Sequence, residues 1–299
     1  MKKIIAISIC FVTISISASA QDVLSVDEMN SVYKKEQVLN KNVRQYTHLR
    51  EADVMWSRKV WREIDLREKI NHPFYYPEND GVGFTINDRK SLIDVIYSAI
   101  KEGSITAYGN AAMDDEFREP MSQDEIKSIG GAKEELIEVI DWDAVAAGAD
   151  PEDAKTTILE TSQFDRNSVK KWRLKEEWFF DKQKSTMDVR ILGIAPLQED
   201  RDQVNGRLTG SFSPLFWVYF PEAREVLINA EVFNSVKNDA ERRTYDDVFW
   251  KRMFNSTITM EANVMNRRIN EYMVGLDALL EAERIKADIF NIEHDLWEY

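Results

Sequence analysis

The chain has 299 residues, 43% of them apolar and 31% charged, with 8 Trp, 10 Tyr and 14 Phe. That composition excludes a disordered polypeptide and is large enough to bury a full core in one or two domains. The formal charge of −14 argues against nucleic acid or an anionic lipid surface as partner, because both are held by clustered Lys and Arg.

Residues 1–20 read as a secretory signal peptide. Met1-Lys2-Lys3 is a basic start, Ile4 to Ile16 is apolar, and Ala18-Ser19-Ala20 gives a small-x-small cleavage site before Gln21. The apolar run is shorter than the roughly 20 residues of a spanning helix. Ile9 stands where a lipidation signal needs a small residue, which argues against Cys10 as a lipid anchor. Cys10 is the only cysteine, so the processed chain is expected to hold no disulfide, thiolate nucleophile or cysteine metal ligand. Loss of Lys2 and Lys3 takes the formal charge to about −16. The expected location is the periplasm.

Residues 21–50 read as an N-terminal arm, polar and with weak periodicity to residue 43. From Glu51, Trp56, Val60 and Ile64 fall at helical spacing, although Val60, Ile64 and Leu66 also suit a strand; a helix ending before His72-Pro73 is the expectation. Pro73 to Pro77 (PFYYP) reads as an aromatic clamp too rigid for a helix. Asp88 is expected to cap a helix bearing Leu92, Ile93, Ile96, Tyr97 and Ile100 and stopped by Gly103. Ser122 and Glu125 have capping-box spacing before a short helix. These elements make an N-terminal module, 51–140. Residues 141–168, small and acidic with Gly148 and Pro151, read as a linker.

The C-terminal module, 169–299, contains the strongest strand signals. Met187, Val189 and Ile191 alternate with Asp188, Arg190 and Leu192, the period of a half-buried strand. Leu215 to Phe220 is an apolar run with Pro214 and Pro221 at its ends, read as one six-residue strand. Asp200 and Asp202 near Asn205-Gly206 fit a hairpin tip better than a calcium loop. Asp246 to Phe254 has a helical aromatic pattern. Ile269, Tyr272, Leu276, Leu279, Glu283, Ala287 and Phe290 step by three and four along a long amphipathic helix whose seam is broken only at Glu283. The expected fold class is α+β, a small mostly antiparallel sheet with packed helices and this long C-terminal helix. Asp53–Arg58 and Asp247–Arg252 share four identities in six, read as chance similarity rather than duplication.

Catalytic motifs are lacking. His48, His72 and His294 have no zinc spacing, Gly81-Val82-Gly83 lacks the context of a dinucleotide loop, and no nucleophile elbow or P-loop occurs. Pairs such as Asp114-Asp115 and Glu134-Glu135 arise freely among 53 carboxylates. The chemistry that stands out belongs to binding: Trp, Tyr and Arg, which dominate interface hot spots, cluster along the chain. Trp56, Arg58, Trp61, Trp297 and Tyr299 are the candidate interface residues. No catalytic, cofactor or metal residue is assigned.

Several long segments carry a resemblance: Glu51 to Pro77 (EADVMWSRKVWREIDLREKINHPFYYP), Trp178 to Pro196 (WFFDKQKSTMDVRILGIAP), Pro214 to Asn234 (PLFWVYFPEAREVLINAEVFN), Asp239 to Phe254 (DAERRTYDDVFWKRMF) and the tail from Tyr272. In that order they resemble the GldN/PorN family, components of the gliding-motility and type IX secretion machinery of Bacteroidetes-type bacteria. The resemblance implies a periplasmic scaffold without known catalysis or cofactor at the inner face of the outer membrane. It implies a homo-oligomeric ring formed with an outer-membrane lipoprotein, GldK/PorK, and contact with the inner-membrane motor protein GldM/PorM. The alternatives are a periplasmic ligand- or glycan-binding module using Pro73 to Pro77 as a stacking platform, and a hydrolase, which would need a convergent carboxylate pair.

Overall fold

The computed structural model describes residues 41–77, 89–109, 115–131, 133–140, 155–162, 164–201, 207–233 and 241–295. Its centre is a seven-stranded sheet in the order β2-β8-β6-β5-β1-β9, with β7 also paired to β6, and every pairing is antiparallel. The strands are β1 Val54–Asp65, β2 Ala107–Tyr108, β5 Val169–Asp181, β6 Thr186–Arg201, β7 Leu208–Pro214, β8 Trp217–Tyr219 and β9 Thr257–Glu261. A separate hairpin pairs β3 Lys133–Ile140 with β4 Lys155–Ser162, so β4 lies within the stretch read as a linker. Six α-helices complete the described residues: α1 His72–Tyr75, α2 Leu92–Glu102, α3 Gln123–Lys127, α4 Phe220–Leu227, α5 Tyr245–Trp250 and α6 Leu276–Asp295. The class is α+β, as expected, with the long C-terminal helix in place.

Segment 54–65 is a strand rather than the expected helix. Trp56, Val60 and Ile64 are four apart, and four is a multiple of the strand period, so they share a strand face as readily as a helix face. What decides between them is β5, which pairs with β1 over its whole length, from Val54 against Asp181 to Asp65 against Lys171. Those partners lie more than 100 residues away, and β1 and β5 come from the two expected modules yet are neighbours in one sheet. The Pro73 segment is also revised: Pro73 occupies the first turn of α1, where its missing amide N–H costs nothing. Likewise Pro221 starts α4, which takes Phe220 and shortens the expected 215–220 strand to β8. The cap of α2 is Ser91, accepting from the Asp94 amide, not Asp88, which lies outside the described residues; Gly103 ends the helix at φ 75°. The Ser122–Glu125 capping box forms as read, and Thr244 with Asp247 forms a second. The six-residue echo is strand at its first copy and helix at its second, so it marks no duplicated unit.

One face of the sheet carries the main core. Ile64, Trp172, Leu174 and Ile194 pack under α1, α2, α4 and α5 through Phe74, Ile96, Phe220 and Tyr245. A smaller cluster at the β1–β9 edge joins Val60 and Ile258 to Ile269, Ala282, Ile285 and Ile289. On the opposite face Trp61, Ala195 and Trp217 pack beneath Phe117 and Met260. Gly193 makes that cover possible, because a Cβ there would sit 2.4 Å from the Phe117 ring.

Candidate interaction surface

Strand alternation separates the candidate residues of β1 onto two faces. Trp56, Arg58 and Val60 point toward the edge cluster. Trp56 is half-buried against it, and the Arg58 guanidinium lies 5.6 Å from the Trp56 ring while pairing with Glu261 of β9 at 3.2 Å. Trp61 points the other way and is only 8% exposed. Its Nε1 donates to Asp115 Oδ2 at 2.8 Å, and the Lys175 ammonium sits 5.5 Å from its ring. Trp297 and Tyr299 lie outside the described residues.

Beside Trp61, β5 presents Lys171, Arg173 and Lys175 in a row at strand spacing. Three like charges side by side need counter-charge, and they have it. Glu63 accepts from Arg173 Nη2 at 2.6 Å and lies 3.6 Å from Lys171, while Asp115 lies 3.3 Å from Lys175. Phe212 covers Lys171, with its centroid 4.3 Å from the ammonium. The row is a satisfied structural network, not a free basic patch.

Behind β1, Glu176 is fully buried and held by Arg252 from the turn after α5. Trp178 Nε1 adds a bond to Glu176 Oε2 at 3.2 Å. Nearby Arg62 donates to the Ser256 hydroxyl and carbonyl; burial pulls its pKa below the ordinary value, while Glu176 pulls it back up.

The described part of the arm, residues 41–50, forms neither helix nor strand and is tied down along its length. Tyr46 stacks on Trp250 at 5.4 Å, with Arg224 and Arg190 at 4.6 and 5.1 Å from its ring. Arg190 Nη2 donates to the Thr47 carbonyl at 2.6 Å, and the Lys41 amide donates to Asn229 Oδ1 at 3.1 Å. Arg224 is itself buried and forked onto Asp246 at 2.7 and 3.2 Å. Burial raises the Tyr46 pKa, with the Arg224 charge opposing.

The surface that pattern reading missed is the outside of α6. Of the residues assigned to its seam, Ile269 and Tyr272 precede the helix and pack on the edge cluster, but those within the helix do not face the sheet. Ala282, Ile285 and Ile289 do, while Leu276, Leu279, Leu280 and Phe290 are exposed. The helix has two apolar faces, and the small side chains of Ala278 and Ala282 suit the one that approaches the sheet closely. The signal was present in sequence as apolar residues lying outside a single stripe.

The aromatic clamp does not form a platform: Phe74 is core, Tyr75 is half-buried under Lys170, and Tyr76 is exposed. A groove of about 310 Å³ between α2 and α4 is lined by Val95, Ser98, Glu102, Val226 and Asn229 among others, and brings together no catalytic constellation. Among the described residues no group of three or more His, Cys, Asp or Glu side chains could hold a metal ion, and no helix is long and apolar enough to cross a membrane.

A family model described as "Gliding motility associated protein GldN" matches residues 49–298. Among curated proteins, none matches the chain.

Proposed function

The chain belongs to the GldN family of gliding-motility-associated proteins, a component of gliding machinery that works among protein partners, and on that premise we propose that it is a non-catalytic scaffold subunit. In this reading it acts in the periplasm beneath the outer membrane. It assembles into a ring with a GldK/PorK-type lipoprotein and contacts the periplasmic part of a GldM/PorM-type motor protein, so that energy from the inner membrane can drive secretion or adhesin movement. The observation that carries the reading is the extent of the family match, which takes in every described strand and helix. The family is not known for enzymatic activity. Two features support a scaffold: a sheet locked by paired buried charges, and a long helix that turns apolar side chains outward.

The test is affinity capture of the protein from a cross-linked envelope extract, with mass spectrometry of what is retained. Recovery of one lipoprotein and one inner-membrane protein with a large periplasmic part is the expected result. Recovery of the protein alone would overturn the scaffold assignment.

A further inference from the structure

At 100° per residue, Ala278, Ala282, Ile285 and Ile289 fall on one side of α6 and meet the edge cluster. Leu276, Leu279, Leu280, Ala287 and Phe290 fall on the far side. The four large ones are 69%, 55%, 59% and 66% exposed, and Val274 just before the helix is 83% exposed. Single apolar residues on a surface need no explanation. A continuous stripe over four helical turns, about 20 Å long, does.

We propose that this face packs against the same face of a second copy of the chain, the two helices running antiparallel about a two-fold axis. Charge selects that occupant. Glu283 lies within the stripe and Lys286 on its border, 3.2 Å apart in one chain and both largely exposed. In an antiparallel pair, the register that sets Glu283 against Lys286 of the second copy also sets Leu279 against Phe290 of the second copy. This follows because Leu279 precedes Glu283 by four residues and Phe290 follows Lys286 by four. One register thus matches an ion pair and an apolar pair, and symmetry makes each of them twice. Arg284, further round the helix and off the stripe, is bound to Glu281 and Asp288 of its own chain at 2.7 and 2.6 Å, so the charges at the contact are Glu283 and Lys286, whose pair within each chain is shared across the axis. An isologous contact closes on itself, so it defines a dimeric unit and does not by itself generate a ring. It goes beyond the envelope partners proposed above and does not depend on them.

The test uses the chain from Gln21, which has no cysteine. In Leu279→Cys/Phe290→Cys the two thiols sit about 16 Å apart along one helix, too far to bridge within a chain. Mild oxidation is expected to give a reducible dimer, while Asp288→Cys, off the face, gives none. Light scattering of the unsubstituted chain at micromolar concentration is expected to show a dimer that Leu279→Asp converts to a folded monomer. A monomer in the unsubstituted chain, or a dimer indifferent to Leu279→Asp, overturns the proposal. So does a monomer whose Leu279→Asp form loses capture of a lipoprotein, a result that would leave the scaffold function standing. A dimer that captures no envelope partner would uphold the pairing and overturn the scaffold function instead.

Discussion

Arg252 Nη1 lies 2.9 Å from Oε1 of Glu176, a carboxylate with no exposed surface, and Arg252 Nη2 donates to its Oε2 at 3.1 Å. The contact fastens the turn after α5 to the middle of β5, where Arg252 at φ 52° is the left-handed residue that ends the helix, its amide bonded to the Phe249 carbonyl and the Met253 amide to the Val248 carbonyl.

Removing one partner of a buried pair leaves the other charge uncompensated, which costs about 3–5 kcal/mol. Arg252→Met is therefore expected to lower the urea midpoint strongly. Arg252→Met with Glu176→Gln recovers a large part of the loss. Equal losses in the single and double variants would show that the pair carries no coupling.

Trp61 is core, whatever else its residue type suggests. Trp61→Ala should destabilise the isolated chain by about 3–5 kcal/mol, the cost of truncating a buried aromatic, and Trp61→Phe by about 1 kcal/mol for the lost bond to Asp115. Thermal unfolding of both variants checks the order. If Trp61→Ala melts with the unsubstituted chain, Trp61 is not part of the core.

Gly193→Ala should push the Phe117 ring off Trp217. Inserting a methyl into that contact is expected to cost about 1–3 kcal/mol and to alter tryptophan fluorescence before unfolding begins. Phe117→Ala, which removes the clash, should relieve most of the penalty that Gly193→Ala adds.

Alkaline pH should destabilise the fold through its buried phenols. Tyr245 is fully buried, donates to the Lys90 carbonyl at 2.7 Å, and has its pKa raised by burial and then by Asp94. The folded state then keeps a proton that the unfolded chain releases above about pH 10, so stability is complete below that value and falls as pH rises. Urea unfolding between pH 8 and 11 checks the sign. Tyr245→Phe should be less stable at pH 8 and flatter in its dependence above pH 10.

What could be read from sequence was what is local. Ser122 and Glu125, or the alternation of Met187, Val189 and Ile191, specify their elements within a few residues. Segment 54–65 could not be settled locally, since its four-residue spacing fits both periods and β5 is far off in the chain. For α6, the steps of three and four found the helix but not its orientation. Two apolar faces compete for the sheet, and the smaller residues at Ala278 and Ala282 let their face win. Residue type points to Trp and Arg as candidate interface residues, whereas the exposed apolar side chains of α6 are leucines and Phe290, types that pattern reading assigns to a core.

The most direct test of scaffold function is the native size of the protein in its own envelope. After mild detergent extraction and native electrophoresis, a ring subunit should migrate in an assembly many times its own mass, together with a lipoprotein. Migration solely as a free chain or dimer, with no envelope protein alongside, would contradict it.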